Sequence, residues 1–179
     1  GNQGWRLRLV MSEVRGRPLD EVLRAYREAG RLRGATDPCE RRKRLIEACR
    51  CASEMVVQLA PLLEAFTDTV CHRDITPRNI QVAGLDAGRP QFGLVDFGLA
   101  VDMKRWRDQE ACVDLSGDGQ YWPSSAWFVF GNGTDALQQH PRMEEEFRTY
   151  LDTHSFGLTS LRCLVDMLPN LDAVDEGGQ

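Results

Sequence analysis

Two short motifs hold residue types suited to chemistry. The first is His72-Arg73-Asp74, with Asn79 five residues beyond the aspartate; the second is Asp96-Phe97-Gly98, entered from the apolar pair Leu94-Val95. At average residue usage, both in this order and spacing arise by chance on the order of once in a few hundred thousand. These types suit phosphoryl transfer, a reaction that needs positioning and charge neutralisation more than covalent help. Asp74 on a tight loop can accept a hydroxyl proton and orient that oxygen in line, an effect worth roughly 10²–10⁴ in rate. Asn79 offers a neutral carbonyl oxygen and Asp96 a charged one, both hard ligands for Mg²⁺. Gly98 lets the backbone turn sharply beside such a site.

The elements that must position these residues are partly legible. Residues 80–83 and 92–95 read as the arms of a hairpin, with 84–90 as its loop. Residues 5–14 alternate and then become continuously apolar, like a strand entering a core, and Arg15, Gly16, Arg17 and Pro18 break the pattern. Residues 19–29 read as a short helix and 30–38 as a polar loop. In the next segment Leu45, Cys49, Ala52, Val56, Leu59, Leu63 and Phe66 form one helical stripe, which Pro61 is expected to kink or split near Ala60. Residues 101–120 are polar with little periodicity, and 131–134 read as a turn. Residues 153–168 read as a helix with Leu161, Leu164, Val165 and Leu168 on one face, and 169–179 as a frayed acidic tail.

The chain has 179 residues, enough for one domain with a core, and its 42% hydrophobic and 27% charged content is that of a globular protein. A net charge of −5 argues against a general nucleic-acid binder. No apolar run approaches a membrane span, and no signal-peptide pattern follows Gly1. Six cysteines without a C-x-x-C pair favour reduced, packed thiols over a zinc site, and hence an intracellular, cytoplasmic protein. Arg41 to Arg44 read as a solvated helix face rather than a localisation signal. His140 and His154 read as surface or packing residues, and Trp106, Trp122 and Trp127 as packing or groove residues.

Taken together, the two motifs resemble those of the eukaryotic-type protein kinase superfamily. The likeness spans roughly residues 9–168. Leu9-Val10-Met11-Ser12-Glu13-Val14 is similar to the strand and hinge that receive adenine, with Met11 at the gatekeeper position and the Val14 N–H on the adenine edge. Asp152, Ser155 and Gly157 resemble the start of the family's buried central helix, whose aspartate anchors the catalytic-loop backbone. Tyr121 fits the end of the activation segment. The resemblance implies an α+β fold, mainly the helical C-lobe with a remnant N-lobe strand. It divides the chain into strand and hinge at 1–14, C-lobe at 15–168 with catalytic loop 70–79 and activation segment 96–125, and the tail. It implies ATP and Mg²⁺ as cofactors and a protein substrate. Asp74 is then the base, Asn79 and Asp96 the metal ligands, Thr76 a phosphate contact, and Arg73 the residue that grips an activation-segment phosphate.

Departures from the family pattern shape the expectations. Neither a Gly-rich phosphate loop nor a strand lysine precedes the hinge, so the isolated chain is expected to be inactive and the parent protein to be the enzyme. Thr76 stands where serine/threonine kinases carry lysine. Pro123-Ser124-Ser125 replaces Ala-Pro-Glu, so the family's buried glutamate–arginine pair is expected to be missing, and residues 126–150 are expected to hold an insertion. With Ser116 the only hydroxyl between Leu99 and Gly117, one of Asp102, Asp108, Glu110, Asp114 and Asp118 is expected to pair with Arg73 in place of phosphate. The acceptor is expected to be serine or threonine rather than tyrosine. A catalytically silent scaffold that binds protein partners is the alternative. A small-molecule kinase of the aminoglycoside-phosphotransferase type is a third reading, weakened because that class typically has glycine where Arg73 stands.

Overall fold

A computed structural model describes residues 13–32, 37–108 and 115–168. Its architecture is mixed α and β, mostly helical, with two small antiparallel sheets.

The hairpin is the first frame around the site. Strands β3 (Ile80–Ala83) and β4 (Gln91–Leu94) pair in the register Ile80↔Leu94 to Ala83↔Gln91. The second arm therefore starts and ends one residue before the expected 92–95. Strand β1 (Arg17–Pro18) adds to the outer side of β3, so residues expected only to break a strand form one themselves. Gly16 makes that approach possible: its φ is +127°, and a Cβ there would press on the Val82 carbonyl. Of the strand expected at 5–14, only residues 13 and 14 are described, and neither is in a strand.

Helix α1 (Leu19–Leu32) follows β1 directly and outlasts the expected 19–29. It buries Leu19, Val22 and Leu23. Helix α2 (Pro38–Phe66) begins where the Asp37 carboxylate accepts the Cys39 N–H, with Pro38 in the first turn, where a missing donor costs nothing. It runs unbroken through Pro61, against the expected split. The carbonyl that proline leaves without its helical partner belongs to Val57, and both residues lie on the exposed side, where water can take the bond. The buried stripe is also rotated from the one expected. Ala48, Cys51, Met55 and Leu59 are buried, whereas Leu45 and Val56 are exposed. Two apolar stripes overlap on this helix, and docking against the hairpin and the last helix selects one. Gln58 ties α2 to the hairpin: its amide donates to the Pro90 carbonyl (2.9 Å) and its oxygen accepts the Phe92 N–H (2.9 Å).

Strand β2 (Val70–Cys71) pairs with β5 (Val101–Asp102), and Asp102 then caps α3 (Met103–Arg107) by accepting the Arg105 N–H. The stretch expected to lack periodicity thus opens with a strand and a helix. The expected insertion is also helical: α4 (Ser124–Asn132), a 3₁₀ stretch (Thr134–Gln139) and α5 (Pro141–Thr149). Helix α6 (Leu151–Met167) closes the order and packs along α2. Its expected apolar face holds in part: Leu164 and Leu168 pack against the core, but Leu161 and Val165 are exposed, while Ser155, Phe156, Thr159, Cys163 and Met167 are buried. Small hydroxyl residues go inside because loop backbone groups await them there.

Two apolar clusters result. One joins α1, α2, the hairpin and α6 around Met55, Ile80 and Cys163. The other gathers Trp106, Val129, Leu137 and Phe147, with the Trp106 and Phe147 rings 5.0 Å apart. Arg148 lies over Trp106 at 5.2 Å and donates to its carbonyl (2.8 Å). Phe147 is fully buried, so Phe147→Ala should destabilise the fold by about 3–5 kcal/mol. Tyr150→Ala, at a half-exposed ring three residues on, should change it by less than about 0.5 kcal/mol. Urea midpoints of the two variants check this pair.

Candidate active site

The site rests on one face of α6. Asp152 accepts the backbone N–H of His72 through one carboxylate oxygen (2.6 Å) and that of Arg73 through the other (2.8 Å). One turn on, the Ser155 hydroxyl reaches the Tyr121 carbonyl (2.9 Å); one turn further, Thr159 donates to the Ile75 carbonyl (3.0 Å). Spacings of three and four put all three side chains on one stripe. The anchoring role implied for Asp152 is observed. Ser155 and Thr159 were not assigned bonding roles from sequence; the D-x-x-S-x-x-x-T spacing was the available signal. Gly157 stands exposed with open space where a Cβ would be.

The loop held in this way is bent hard. Arg73 has φ +68° and Asp96 φ +63°, both in the left-handed region that non-glycine residues rarely occupy. Each costs on the order of 1–3 kcal/mol and persists only where surroundings enforce it. For Arg73 the enforcement is the Asp152 carboxylate. For Asp96 the side chain accepts the Gly98 N–H. His72 is fully buried; its Nε2 lies 3.2 Å from the Val95 carbonyl, and its ring packs on Phe97 at 4.7 Å. Phe97 in turn meets Phe66 of α2 edge-on at 5.7 Å.

Asp74 and Asn79 touch directly. The Asn79 amide donates to both the carbonyl and a carboxylate oxygen of Asp74 (2.8 Å each). The second Asp74 oxygen accepts the Asp118 N–H (3.1 Å). That approach needs Gly117, whose φ is +91° and where a Cβ would collide with the Arg73 carbonyl. The Asn79 carbonyl accepts the Val95 N–H (2.9 Å), so Asp96 follows immediately at the same end of the hairpin ladder. Asn79 uses its nitrogen on Asp74, and among the described residues no hydrogen bond to its side-chain oxygen is formed. An amide oxygen and an exposed carboxylate suit a hard cation whose other ligands are phosphate or water oxygens. Among the described residues no three His, Cys, Asp or Glu side chains gather as a metal site.

The other sequence-derived site residues are placed as follows. Thr76 is buried, and its hydroxyl has no hydrogen-bond partner among the described residues. Glu13 and Val14 are exposed, with Val14 packed over Gly93 of β4; Met11 and Ser12 lie outside the described residues. Arg73 donates from Nε to the Leu99 carbonyl (2.6 Å), and its guanidinium stands 5.7 Å from the Trp106 ring. Of its expected carboxylate partners, Asp102 caps α3, Asp108 stands exposed at the C-terminal end of α3, and Asp118 pairs with Arg78 (2.8 Å). Glu110 and Asp114 lie outside the described residues.

A carboxylate missed from sequence holds the start of α4. Glu146 of α5 accepts the Ser125 N–H (3.0 Å) and the Ser124 hydroxyl (3.1 Å). It satisfies helix N-terminal donors from a neighbouring helix.

Burial pushes Asp152 above the ordinary carboxylate range, and the His72 and Arg73 N–H bonds offset only part of that push. Burial also pulls Arg73 down, with Cys71 and Asp152 acting in the opposite direction. At Glu146 burial acts upward too, but the bonds from Ser125 and Ser124 outweigh it and hold the carboxyl below its usual range.

Asp152→Ala should leave two loop N–H groups unpaired, at roughly 1–3 kcal/mol each. Amide exchange at His72 and Arg73 should accelerate relative to amides in α2, measured by hydrogen–deuterium exchange. Because the folded Glu146 binds its proton more weakly than the unfolded one, its stabilisation is present at neutral pH and falls as acid protonates it. Glu146→Gln should therefore flatten the acid limb of a stability–pH curve between about pH 5 and 3.

Set beside protein-family models, curated proteins and solved structures, the chain matches none.

Proposed function

We propose that this chain carries the catalytic loop and metal-binding residues of a protein kinase that transfers the γ-phosphoryl group of ATP to a protein hydroxyl, on serine or threonine rather than tyrosine. The observation that carries this reading is the Asp74–Asn79 contact on a loop anchored by Asp152. It sets a carboxylate, an amide oxygen and the Asp96 carboxylate at one end of one hairpin.

Each residue then has a role its chemistry fits. Asp74 takes the proton of the acceptor hydroxyl, and the Asn79 amide with the Asp118 N–H keeps its carboxylate aimed. Asn79 and Asp96 would hold Mg²⁺, which when bound neutralises phosphate charge. Thr76, expected as a phosphate contact, is 1% exposed with its hydroxyl closed off from the surface, so it is given no phosphate contact in this reading. Met11, Ser12, Glu13 and Val14 are assigned the adenine edge. Arg73 steadies the segment after Asp96 through the Leu99 carbonyl.

A second reading is favoured by one surface. Trp122, Trp127 and Phe130 stack at 5.2–6.0 Å, and Trp127 and Phe130 are 51% and 68% exposed. Exposed aromatics of this kind suit a silent scaffold that binds protein partners.

The test is γ-phosphate transfer to a generic protein acceptor by the product of the whole reading frame. Asp74→Ala and Asp74→Asn should each lower transfer by roughly 10²–10⁴-fold; Asp74→Ala should also lower the melting temperature, because the Asn79 amide and the Asp118 N–H lose their acceptor, and Asp74→Asn should lower it less. Transfer that neither substitution reduces removes Asp74 from the role of base. A folded parent with no transfer and no melting shift on adding Mg-ATP supports the scaffold.

A further inference from the structure

The largest helix interface of the fold contains two thiols in contact. Cys51 of α2 and Cys163 of α6 are 1% and 0% exposed, and their sulfurs lie 3.8 Å apart, with Cys163 donating to Cys51. They belong to one apolar cluster, to which α1 contributes Leu19, Val22 and Leu23. No hydroxyl, amide or carboxylate separates them, and each is the other's polar partner. The remaining described cysteines are placed differently: Cys39 and Cys49 are exposed, and Cys71 is buried in the second cluster.

We propose that Cys51 and Cys163 form a reversible disulfide when the protein meets a hydroperoxide, so that this buried pair is a redox modification site joining α2 to α6. The sulfurs need to close from 3.8 Å to about 2.05 Å, a movement of less than 2 Å that side-chain rotation and a small helix shift share. Cys51 is the sulfur to react first. The S–H bond from Cys163 draws its ionisation down, burial and Glu47 oppose this, and Arg50 assists. The Cys51 thiolate attacks one peroxide oxygen, becoming a sulfenic acid and releasing alcohol or water. Cys163 then attacks the Cys51 sulfur, and hydroxide leaves with the Cys163 proton as water. Two thiols lose two electrons and two protons; the hydroperoxide takes them up. Full burial means that the oxidant enters through local opening of the packing between α2 and α6, so formation takes minutes to hours rather than milliseconds.

The position gives the bond a consequence. Cys163 lies one turn beyond Thr159, which holds the Ile75 carbonyl, on the helix that also carries Asp152. A cross-link there ties the support of the 72–79 loop to α2. It also closes a loop of more than a hundred residues, the case in which a disulfide restricts the unfolded chain most.

The experiment uses the folded 179-residue chain, reduced and then exposed to tert-butyl hydroperoxide. It is quenched with N-ethylmaleimide in denaturant and digested without reductant. The expected product is a Cys51–Cys163 linked peptide pair, 2 Da lighter than the sum of its reduced peptides by loss of two hydrogens. The melting temperature should rise by roughly 5–15 °C and return on adding dithiothreitol. Cys51→Ala and Cys163→Ala should each abolish both effects. Should either variant fail to fold, the linked peptide and the reversible melting shift in the unsubstituted chain decide the matter. The proposal is overturned if oxidation stops at Cys39 and Cys49, or if the linked pair appears only when peroxide is added to chain unfolded in urea.

Discussion

A single carboxylate, Asp152, supports the arrangement of the whole site. It accepts two consecutive backbone N–H groups, and those belong to His72 and Arg73, at the tightest point of the loop. Charge-assisted bonds of this kind are among the stronger ones available to a protein. They also explain why Arg73 holds a left-handed backbone that a side chain disfavours. Burial raises the cost of charging Asp152, and the two N–H groups offset part of that cost. Without that carboxylate the loop would have no reason to turn where it does, and Asp74 would have no fixed direction.

The rest of the fold serves that interaction by packing α6 against its neighbours. The helix is clasped along its length by α2 and α1, and its hydroxyl residues repeat the anchoring at Ile75 and Tyr121. The hairpin fixes the opposite side. Its ladder continues one bond beyond β3 through the Asn79 carbonyl, which seats Asn79 and Asp96 at a common end. Gly117 then lets the segment before Tyr121 close over Asp74. Two stretches of chain meet at Asp74, its own loop through the Asn79 amide and the 117–118 segment through a backbone N–H, both by short groups rather than long flexible side chains. That is how a site keeps its geometry without many charged contacts.

Where sequence patterns misled, the cause is the same each time. On α2 the sequence offers two overlapping apolar stripes, and periodicity cannot choose between them; the hairpin, through Gln58, and α6 together chose the one through Ala48, Cys51 and Met55. On α6, the apolar count placed Leu164 and Leu168 correctly but turned Leu161 and Val165 inward, because part of the inward face is taken by Ser155 and Thr159, whose hydroxyls serve distant carbonyls. Pro61 failed to break α2 because its unmet carbonyl faces water. Glu146 drew no attention in sequence because its partners, Ser124 and Ser125, are twenty-odd residues away.

The amino-acid sequence by itself determined the local chemistry: which residues can accept a proton or ligate a hard cation, that a hairpin follows the first motif, and that a helix runs over 153–168. Those properties depend on residue type and on neighbours within a few positions. Only the tertiary structure decided which backbone groups Asp152 takes, the N–H groups of His72 and Arg73 eighty residues away, that Asn79 bonds Asp74 while Asp118 caps it, and that Cys51 meets Cys163. Such pairings arise when separate elements dock, and docking is selected by the shape and burial of whole faces, which no short stretch of residues encodes.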